Sequence, residues 1–548
     1  MGEEARRNFA LAVWARLAHT GINWGTAWIA LNGEDRMHKS TLRTGAGLAA
    51  FACALFAQTG VAAQDSSTAR AVLLEAAEAM GGLDRLQGLD TMVLTGFGQR
   101  VYMQGGGFIT GELRAPPKWI SVTDATRTFD LPAERALNQE RRSMEFPFAG
   151  MFGLNFARNA TVQTGDQLLD HPLPALLEAL DPETQLGAVA IDDGTIVVQF
   201  TPEGAASPAW IGISPSTHLP VFTRWVSGSN NLGDVTHTAW FSGYMPFSGV
   251  QLPMGLMNDM DWRGQVSLMF QVDSYRLDLP ASQLSAFPAA APATAVATPP
   301  AQVTRVADGV WDVRVAGAGG PVIEFADRLV MIEAYGGEAQ TLARIDAANA
   351  LVPGKQVQAV IVTHHHFDHT GGLRAALSRG LEVISHRGNE GIIREMATRT
   401  AVHYPDALAR NPHSLVFTPV DERLVLEDAT QRLEVYHVIE HSHMPNAVFA
   451  YLPGERITME GDLGDEGWQL HWWGSALAAN IAHYGLDPVT NIAVHGSGPL
   501  SIAQTLANNQ TQIDAAEQFC RTTEAGGRFA FGCPVQYDNS GPVELAPR

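Results

Sequence analysis

The sequence contains little cysteine and few basic residues for its size. Only three cysteines occur among 548 residues, which is too few for a disulfide scaffold or a thiolate zinc cluster. There are 36 lysines and arginines against 57 acidic residues, and the formal net charge is −21. Because phosphate backbones are bound by basic surfaces, this charge argues against nucleic acid as a partner. A metal site in this chain therefore has to be built from histidine and carboxylate side chains.

The N-terminal residues have the pattern of a secretory signal. From residue 37, two basic residues precede a short apolar run and then a cluster of small residues, an order typical of exported precursors. We interpret residues 37–63 as a signal peptide and residues 1–36 as an over-extended start, with an uncleaved anchor as the alternative. The prediction is a periplasmic or secreted protein, in which Cys520 and Cys533 either pair or remain free thiols.

The mature chain divides at a stretch rich in alanine and proline. Residues 286–302 are uncharged and lack periodicity, as is typical of a linker. They separate a first block, residues 64–285, from a second block, residues 303–505, and residues 506–548 form a C-terminal extension. The first block opens with a helical pattern and continues as strands, which predicts a mainly antiparallel β-sheet domain. The second block alternates strands and helices, which predicts an α/β layered fold.

Histidines are concentrated in the second block, and the densest cluster is THHHFDHTGG. This cluster follows an apolar strand, and loops at the carboxyl ends of strands carry catalytic groups on open α/β sheets. In an extended loop alternate residues point the same way, so His364 and His366 can contact one ion. Asp368 and His369 are then free to face a second ion. Imidazole and carboxylate ligands suit zinc, and also iron or manganese.

The H-x-H-x-D-H pattern and its flanks, VIVTHHHFDHTGG, resemble the metallo-β-lactamase superfamily of metallo-hydrolases. The resemblance covers residues 303–505 and implies an αββα sandwich, preceded here by the antiparallel sheet domain. The family places a further histidine of site one before a strand, and EHSHMPNAVFAYL offers His441 and His443. Counting back from that strand favours His443. Asp462 in ERITMEGDL matches the family carboxylate that bridges two metals.

The last ligand departs from the family pattern. The family closes site two with the histidine of a PGHG turn, whereas this chain has VHGSGP. In strict register Ser497 occupies the ligand position, and His495 precedes it by two residues. Either His495 reaches the second metal, or site two lacks a ligand. His365 is expected to face outward or to contact the ligands rather than a metal.

The resemblance implies a hydrolase with one or two zinc ions per chain and a small-molecule substrate. Hydroxide formed on the metal would attack the carbonyl carbon of an ester, lactone or amide, with β-lactams included. Asp368 would act as a catalytic residue that orients this nucleophile or carries its proton. Two alternatives stay open. One is a mononuclear iron oxygenase of the same fold, and the other is a non-catalytic periplasmic ligand-binding protein.

The role of the first block is less defined by its sequence. The strand spacing of its C-terminal half weakly resembles periplasmic domains related to outer-membrane lipoprotein-sorting proteins, which implies contact with an envelope lipid or protein. The oligomeric state is left open. In the second block, three aromatic residues either line a substrate pocket or pack in the core: Trp472, Trp473 and Tyr484.

Overall fold

The computed structural model describes residues 66–108, 110–144, 158–288, 298–439, 441, 444–463, 474–496 and 498–525. Several predictions from the sequence concern residues outside these ranges: the signal peptide, His443, Ser497, Trp472, Trp473 and the pairing of Cys533 with Cys520. They remain predictions. Within the described ranges, no helix is both long enough and apolar enough to cross a membrane.

The first block forms an 11-stranded sheet in which all neighbouring strands are antiparallel. Its strands are β1 Thr91–Val101, β2 Trp119–Asp130, β3 Arg135–Met144, β4 Arg158–Thr164, β5 Gln185–Asp192, β6 Thr195–Thr201, β7 Ala209–Ile213, β8 Pro220–Ser229, β9 Gly233–Phe247, β10 Val250–Met260 and β11 Gln265–Leu277. The spatial order is β4-β3-β2-β1-β11-β10-β9-β8-β7-β6-β5, because the first strand pairs with the last. The predicted antiparallel sheet domain is confirmed.

Three helices pack with this sheet around one apolar core. They are α1 Ser66–Met80, α2 Leu83–Gln87 and α3 Pro172–Leu180. Leu73 of α1 and Leu176 of α3 are fully buried against strand residues such as Phe200. Helix α1 ends where Gly81 and Gly82 adopt φ values of 133° and 95°, a region that glycine enters without steric cost.

The second block contains two further sheets and six helices in its described residues. The 7-stranded sheet comprises β12 Gln302–Ala307, β13 Val310–Val315, β14 Ala318–Glu324, β15 Leu329–Ile332, β16 Val357–Ile361, β17 Glu382–His386 and β18 Phe417–Val420. The 6-stranded sheet comprises β19 Arg423–Glu427, β20 Arg432–His437, β21 Val448–Leu452, β22 Ile457–Glu460, β23 Thr490–Ala493 and β24 Pro499–Ser501. The helices are α4 Glu338–Leu351, α5 Leu373–Ser378, α6 Glu390–Thr398, α7 Ala407–Arg410, α8 Ser475–Tyr484 and α9 Ile502–Ala525. Helix α9 begins in the second block and continues past residue 505, the predicted end of that block, into the C-terminal extension.

Alternating side chains produce an αββα sandwich. On β16, Ala359 and Ile361 join a core shared with the 6-stranded sheet, whereas Val360 belongs to a core that contains residues of α4, α5 and α6. Successive side chains of a strand point to opposite faces, so one buried strand serves both layers. On the far side, Leu477 of α8 packs with Phe449 of β21. The predicted order of layers, helix on sheet on sheet on helix, is confirmed.

The two blocks share a hydrophobic core. The core against α5 and α6 includes five residues of the first block: Phe108, Leu232, Val235, Met260 and Trp262. Polar contacts surround it, and Arg263 pairs with both carboxylate oxygens of Glu395 at 2.7 and 2.8 Å. The Ala/Pro-rich stretch is therefore not the main connection between the blocks, because the first block packs directly on the second.

We predict that the two blocks unfold together. Trp262→Ala removes a buried ring from the shared core, and such truncations cost about 3–5 kcal/mol. In chemical denaturation, we expect one transition whose midpoint falls for the whole chain. Met245→Ala is the control, because Met245 is 53% exposed and exposed substitutions stay within about 0.5 kcal/mol. Two separate transitions, with only one moved by Trp262→Ala, would contradict a shared core.

Candidate metal centre

The candidate site lies where parallel strands of the two sandwich sheets end. Strands β15 and β16 are parallel neighbours in one sheet, and β22 and β23 are parallel neighbours in the other. Parallel strands present their carboxyl ends at the same edge of a sheet. The backbone N–H of Val448 donates to the carbonyl of Thr363 at 2.8 Å and ties the two edges together. Loops from four strands can therefore meet at one place.

His364 and His366 face one carboxylate oxygen of Asp462. The Nε2 atom of His364 is 3.4 Å from Asp462 Oδ2, and the Nδ1 atom of His366 is 3.9 Å from it. One ligand atom from each of these three buried residues lies within 4.8 Å of the others. The structure therefore brings together two histidines of the loop and the carboxylate that follows β22.

His369 and His495 face the other carboxylate oxygen of Asp462. Their Nε2 atoms lie 3.0 and 3.2 Å from Asp462 Oδ1. Asp368 Oδ2 is 3.5 Å from Nε2 of His369 and 3.3 Å from Nε2 of His495. Of the two alternatives for the last ligand, the geometry agrees with the one in which His495 lies beside Asp368, His369 and Asp462. Asp462 thus stands between two sets of donors.

Asp462 reaches this position because the preceding residue is glycine. A Cβ atom on Gly461 would lie against the hydroxyl of Thr363 and 3.3 Å from both Glu333 Oε1 and His364 Nδ1. The absence of a side chain lets the end of β22 approach the histidine loop. The Gly-Asp pair in the sequence is therefore a packing requirement of the site.

A buried arginine holds the turn that carries His495. Arg314 on β13 donates from its guanidinium to the carbonyl oxygens of Ala493 at 2.7 Å, Val494 at 3.2 Å and Gly496 at 2.8 Å. These bonds fix the backbone on both sides of His495. The direction of the turn is set by this contact from another sheet, which the local sequence VHGSGP does not reveal.

Hydrogen bonds orient the two imidazoles that face Asp368. The Nδ1 atom of His369 lies 3.1 Å from Glu333 Oε1, and the Nδ1 atom of His495 lies 3.3 Å from the Tyr335 hydroxyl. In both rings the Nε2 atom is left to face the carboxylates. Partners of this kind fix the orientation of a ligating histidine and raise its basicity.

The charges of the cluster shift its pKa values strongly. Burial lowers the pKa of His364 to about 4, and the charge of His369 acts in the same direction. Burial also acts to lower the pKa of His495, but the carboxylates of Asp462 and Asp368 outweigh it and raise that pKa to about 10. Burial would raise the pKa of Asp368, yet His369 and His495 lower it to about 2. The cluster therefore holds ionised carboxylates beside two imidazoles that retain protons, His369 and His495, whereas His364 is neutral at pH 7.

His365 does not face outward; of its two predicted surroundings, contact with a ligand agrees with the structure, because its ring centroid lies 5.2 Å from that of His366. Its ring is completely buried. Burial lowers the pKa of His365 far below its usual value, and the positive charge of Lys118 adds to this effect. Lys118 belongs to the first block, which covers this side of the histidine loop.

The structure also shows the contacts of two other residues considered in the sequence analysis, His441 and Tyr484. His441 accepts from the Met444 backbone N–H at 3.3 Å through Nδ1, and its Nε2 atom lies 3.4 Å from the Asp462 carbonyl oxygen. Tyr484 packs on the core beside α8 and donates to the His437 carbonyl at 2.7 Å. For Tyr484 the geometry agrees with the core alternative.

Several residues around the site could not be recognised from the sequence. Tyr335 and Arg314 lie in the second block, and Lys118 and Asn231 come from the first. Lys118 is only 1% exposed. Burial lowers the pKa of Lys118 to about 7, and attraction to Asp368 opposes that shift. None of these residues belongs to a recognisable motif, because each acts through contacts between distant segments.

Residues 322–465 match the family model described as the metallo-beta-lactamase superfamily. This segment is similar to members of that superfamily. The match includes the histidine loop and Asp462, whereas His495 lies beyond its end. The superfamily supports a metal-dependent hydrolase and also has members that are not hydrolases. Among curated protein sequences, none matches this chain.

Solved structures of metallo-β-lactamases align with part of the chain. TMB-1 is 18% identical, with 40% of this chain and 99% of TMB-1 aligned at a TM-score of 0.31. A metallo-β-lactamase from Hirschia baltica is 19% identical, with 39% of this chain and 98% of the other aligned at a TM-score of 0.31. One from Pontibacter korlensis is 18% identical, with 38% and 99% aligned at a TM-score of 0.30.

The donor set of this site fits a metal. Imidazole nitrogens and carboxylate oxygens converge in two groups, His364 with His366 and Asp368 with His369 and His495, and Asp462 contacts both. Burying ionised carboxylates is costly unless a positive charge compensates them. A cation held between these groups would supply that charge in place of the protonated imidazoles.

We predict that Glu333→Gln weakens metal binding without unfolding the protein. The substitution keeps the side-chain shape but removes the carboxylate that orients His369, and such losses typically cost about 10- to 100-fold in metal affinity. Competition with a chromophoric zinc chelator measures the change. Glu324→Gln is the control, because Glu324 pairs with Lys355 at a partly exposed position of the same sheet. Equal zinc affinity in both variants would contradict the orienting role.

We also predict that metal binding at pH 7 releases protons. In the metal-stripped protein His495 is protonated below its pKa of about 10, and a ligating imidazole has to be neutral. Metal affinity should therefore rise with pH up to about pH 10. Titration calorimetry in buffers of different ionisation enthalpy counts the protons, and we expect about one from His495. Zinc binding with no proton release would show that this ring is not displaced from its carboxylates.

Proposed function

We propose that the protein is an exported zinc-dependent hydrolase that cleaves a carbonyl substrate, namely an ester, a lactone or an amide, with β-lactams included. The superfamily match supports metal-dependent hydrolysis in general. The proposal adds zinc, the substrate class and export. Zinc suits the donor set because it binds imidazole and carboxylate without needing thiolate.

One observation supports this proposal more than any other. The two oxygens of the Asp462 carboxylate face different pairs of imidazoles, His364 with His366 and His369 with His495. A carboxylate placed between two sets of donors is the arrangement expected for two neighbouring ions. We therefore assign His364, His366 and Asp462, with His443 as the further ligand from the sequence, to site one. Asp368, His369, Asp462 and His495 form site two.

Bound zinc would supply Lewis acidity, which lowers the pKa of a water molecule and polarises a carbonyl oxygen. The chain itself supplies orientation and proton transfer. Asp368 is 27% exposed, His495 is 13% exposed, and His364 and His369 are fully buried, so the Asp368 side chain is the most accessible of these four. With a pKa of about 2 it is ionised at neutral pH and can accept a proton at Oδ1 or Oδ2. Attraction to Lys118 favours this ionised form.

The two alternative functions, an iron oxygenase and a non-catalytic binding protein, would each predict a different site. A mononuclear iron oxygenase would use one His/His/Asp set, whereas here two sets meet at Asp462. A non-catalytic binding protein was suggested by the altered VHGSGP turn, yet Arg314 directs that turn so that His495 joins the cluster. Both observations support the hydrolase. Export is proposed from the pattern of residues 37–63 alone, and an envelope lipid or protein partner from the weak resemblance of the first block.

We predict hydrolysis of at least one carbonyl class by the zinc-loaded protein. The screen uses a nitrophenyl ester, an aryl lactone, an anilide and a chromogenic cephalosporin. His366→Ala should abolish the activity because it removes a metal donor. Asp368→Asn should lower kcat by about 10²- to 10⁴-fold, the usual contribution of a general base. Absorbance at saturating substrate measures both effects.

His413→Ala is the matched control for this screen. It removes an exposed histidine of the same block that belongs to none of the donor groups, so full activity is expected. Hydrolysis that survives His366→Ala would exclude the proposed centre. Iron in the purified protein, together with oxygen consumption, would contradict the hydrolase and support the iron oxygenase.

A further inference from the structure

A side chain of the first block contacts the metal-binding loop directly. Asn231 lies at the tip of the hairpin between β8 and β9 and is 6% exposed. Its Nδ2 atom donates to the carbonyl of Phe367 at 3.0 Å and to the hydroxyl of Thr370 at 2.8 Å. Both N–H groups of one amide are therefore directed at the loop 364–370, more than 130 residues later in the chain.

These two bonds continue into the ligands of the proposed centre. The Thr370 hydroxyl that accepts from Asn231 donates to the His366 carbonyl at 2.8 Å. The other acceptor, Phe367, is the residue between His366 and Asp368. The amide therefore contacts one loop turn at the Phe367 carbonyl and at the Thr370 hydroxyl, on either side of Asp368 and His369.

The hairpin tip is itself fixed to the second block. The Asp234 carboxylate accepts from the backbone N–H groups of Val402 at 2.7 Å, His403 at 2.8 Å and Tyr404 at 3.0 Å. Arg399 donates to the carbonyl of Leu232 at 2.8 Å. Because the tip is held from two directions, Asn231 contacts the loop from a fixed position.

The first block also holds the ring of Phe367. The ring lies 5.7 Å from that of Trp262, centroid to centroid, and Trp262 donates to Glu395 at 2.7 Å. Gly106 lies against both rings, and a Cβ atom there would come within 2.8 Å of Phe367. The same residue of the metal loop is thus held at its carbonyl and at its side chain.

We infer that the first block helps to hold the metal-binding loop in place, and that Asn231 is a positioning residue for His366, Asp368 and His369. Ligands must be held close to their binding geometry before the ion arrives, since otherwise part of the binding energy is spent on ordering the loop. Asn231 holds the turn in place through the Phe367 carbonyl and the Thr370 hydroxyl without touching the ion. The inference rests on the proposed metal site.

The test compares Asn231→Ala with Asn230→Ala in the full-length protein. Asn230 is the adjacent, exposed asparagine of the same turn, which makes it a matched control. Zinc affinity is measured by chelator competition, and amide hydrogen exchange is followed for residues 363–372. The melting temperature of the metal-stripped protein reports on overall stability.

For Asn231→Ala, we expect about 10- to 100-fold weaker zinc binding and faster exchange in the loop. The melting temperature should stay close to that of Asn230→Ala, for which zinc affinity and exchange are unchanged. Zinc affinity and loop exchange equal to wild type would overturn the inference. A loss of zinc affinity accompanied by an equal loss of overall stability would show that Asn231 only packs in the fold, and would also overturn the inference.

Two further outcomes remain decisive. If Asn231→Ala does not fold, Asn231→Ser, which keeps a hydroxyl donor and removes less volume, is judged by the same two measurements. If the wild-type protein binds no zinc, the proposed function fails, and the hydrogen-exchange comparison still decides whether Asn231 holds the loop. Failure of the function and failure of the inference are thereby distinguished.

Discussion

The contact between the Asp462 carboxylate and four imidazoles is the interaction on which the site depends. Both oxygens are engaged, one by His364 and His366 and the other by His369 and His495. A carboxylate buried at this depth is stable only beside positive charge. Protons on His369 and His495 supply it without a metal, and a metal would supply it more effectively. The need to compensate this charge connects the fold to the proposed chemistry.

The fold meets this need by directing strand ends from both sheets to one edge. Parallel pairs β15–β16 and β22–β23 deliver the loops, and Gly461 allows them to approach. Hydrogen bonds from Glu333, Tyr335 and Arg314 then fix rings and turns. The first block closes the remaining side and shares a hydrophobic core with the second. The two blocks therefore act as one folded unit around the centre.

The alternation of strands and helices was sufficient for a layered α/β fold, and the resemblance carried by the histidine loop implied the sandwich and most of the cluster. The spacing of His364, His366, Asp368 and His369 within one loop is a local property, and the Gly-Asp pair follows a recognisable strand. Whether His495 joins the cluster could not be decided from the local sequence, because Arg314 directs its turn from 180 residues away.

The contribution of the first block was not predictable for the same reason. Asn231 lies 136 residues before the carbonyl that it contacts. The linker-like composition of residues 286–302 suggested independent domains and concealed the shared core. For His365 the sequence left an outward position and contact with the ligands both open, and the first block decides between them by burying the ring. In each case a contact between distant segments decides the outcome.

The most direct test of this account is the metal content of the purified mature protein, measured by plasma mass spectrometry. A carboxylate that serves two donor groups predicts about two zinc ions per chain. His495→Ala should reduce this number to about one, because it removes a donor from site two only. A protein that carries no metal would contradict the central claim, and so would one that carries a single ion unaffected by His495→Ala.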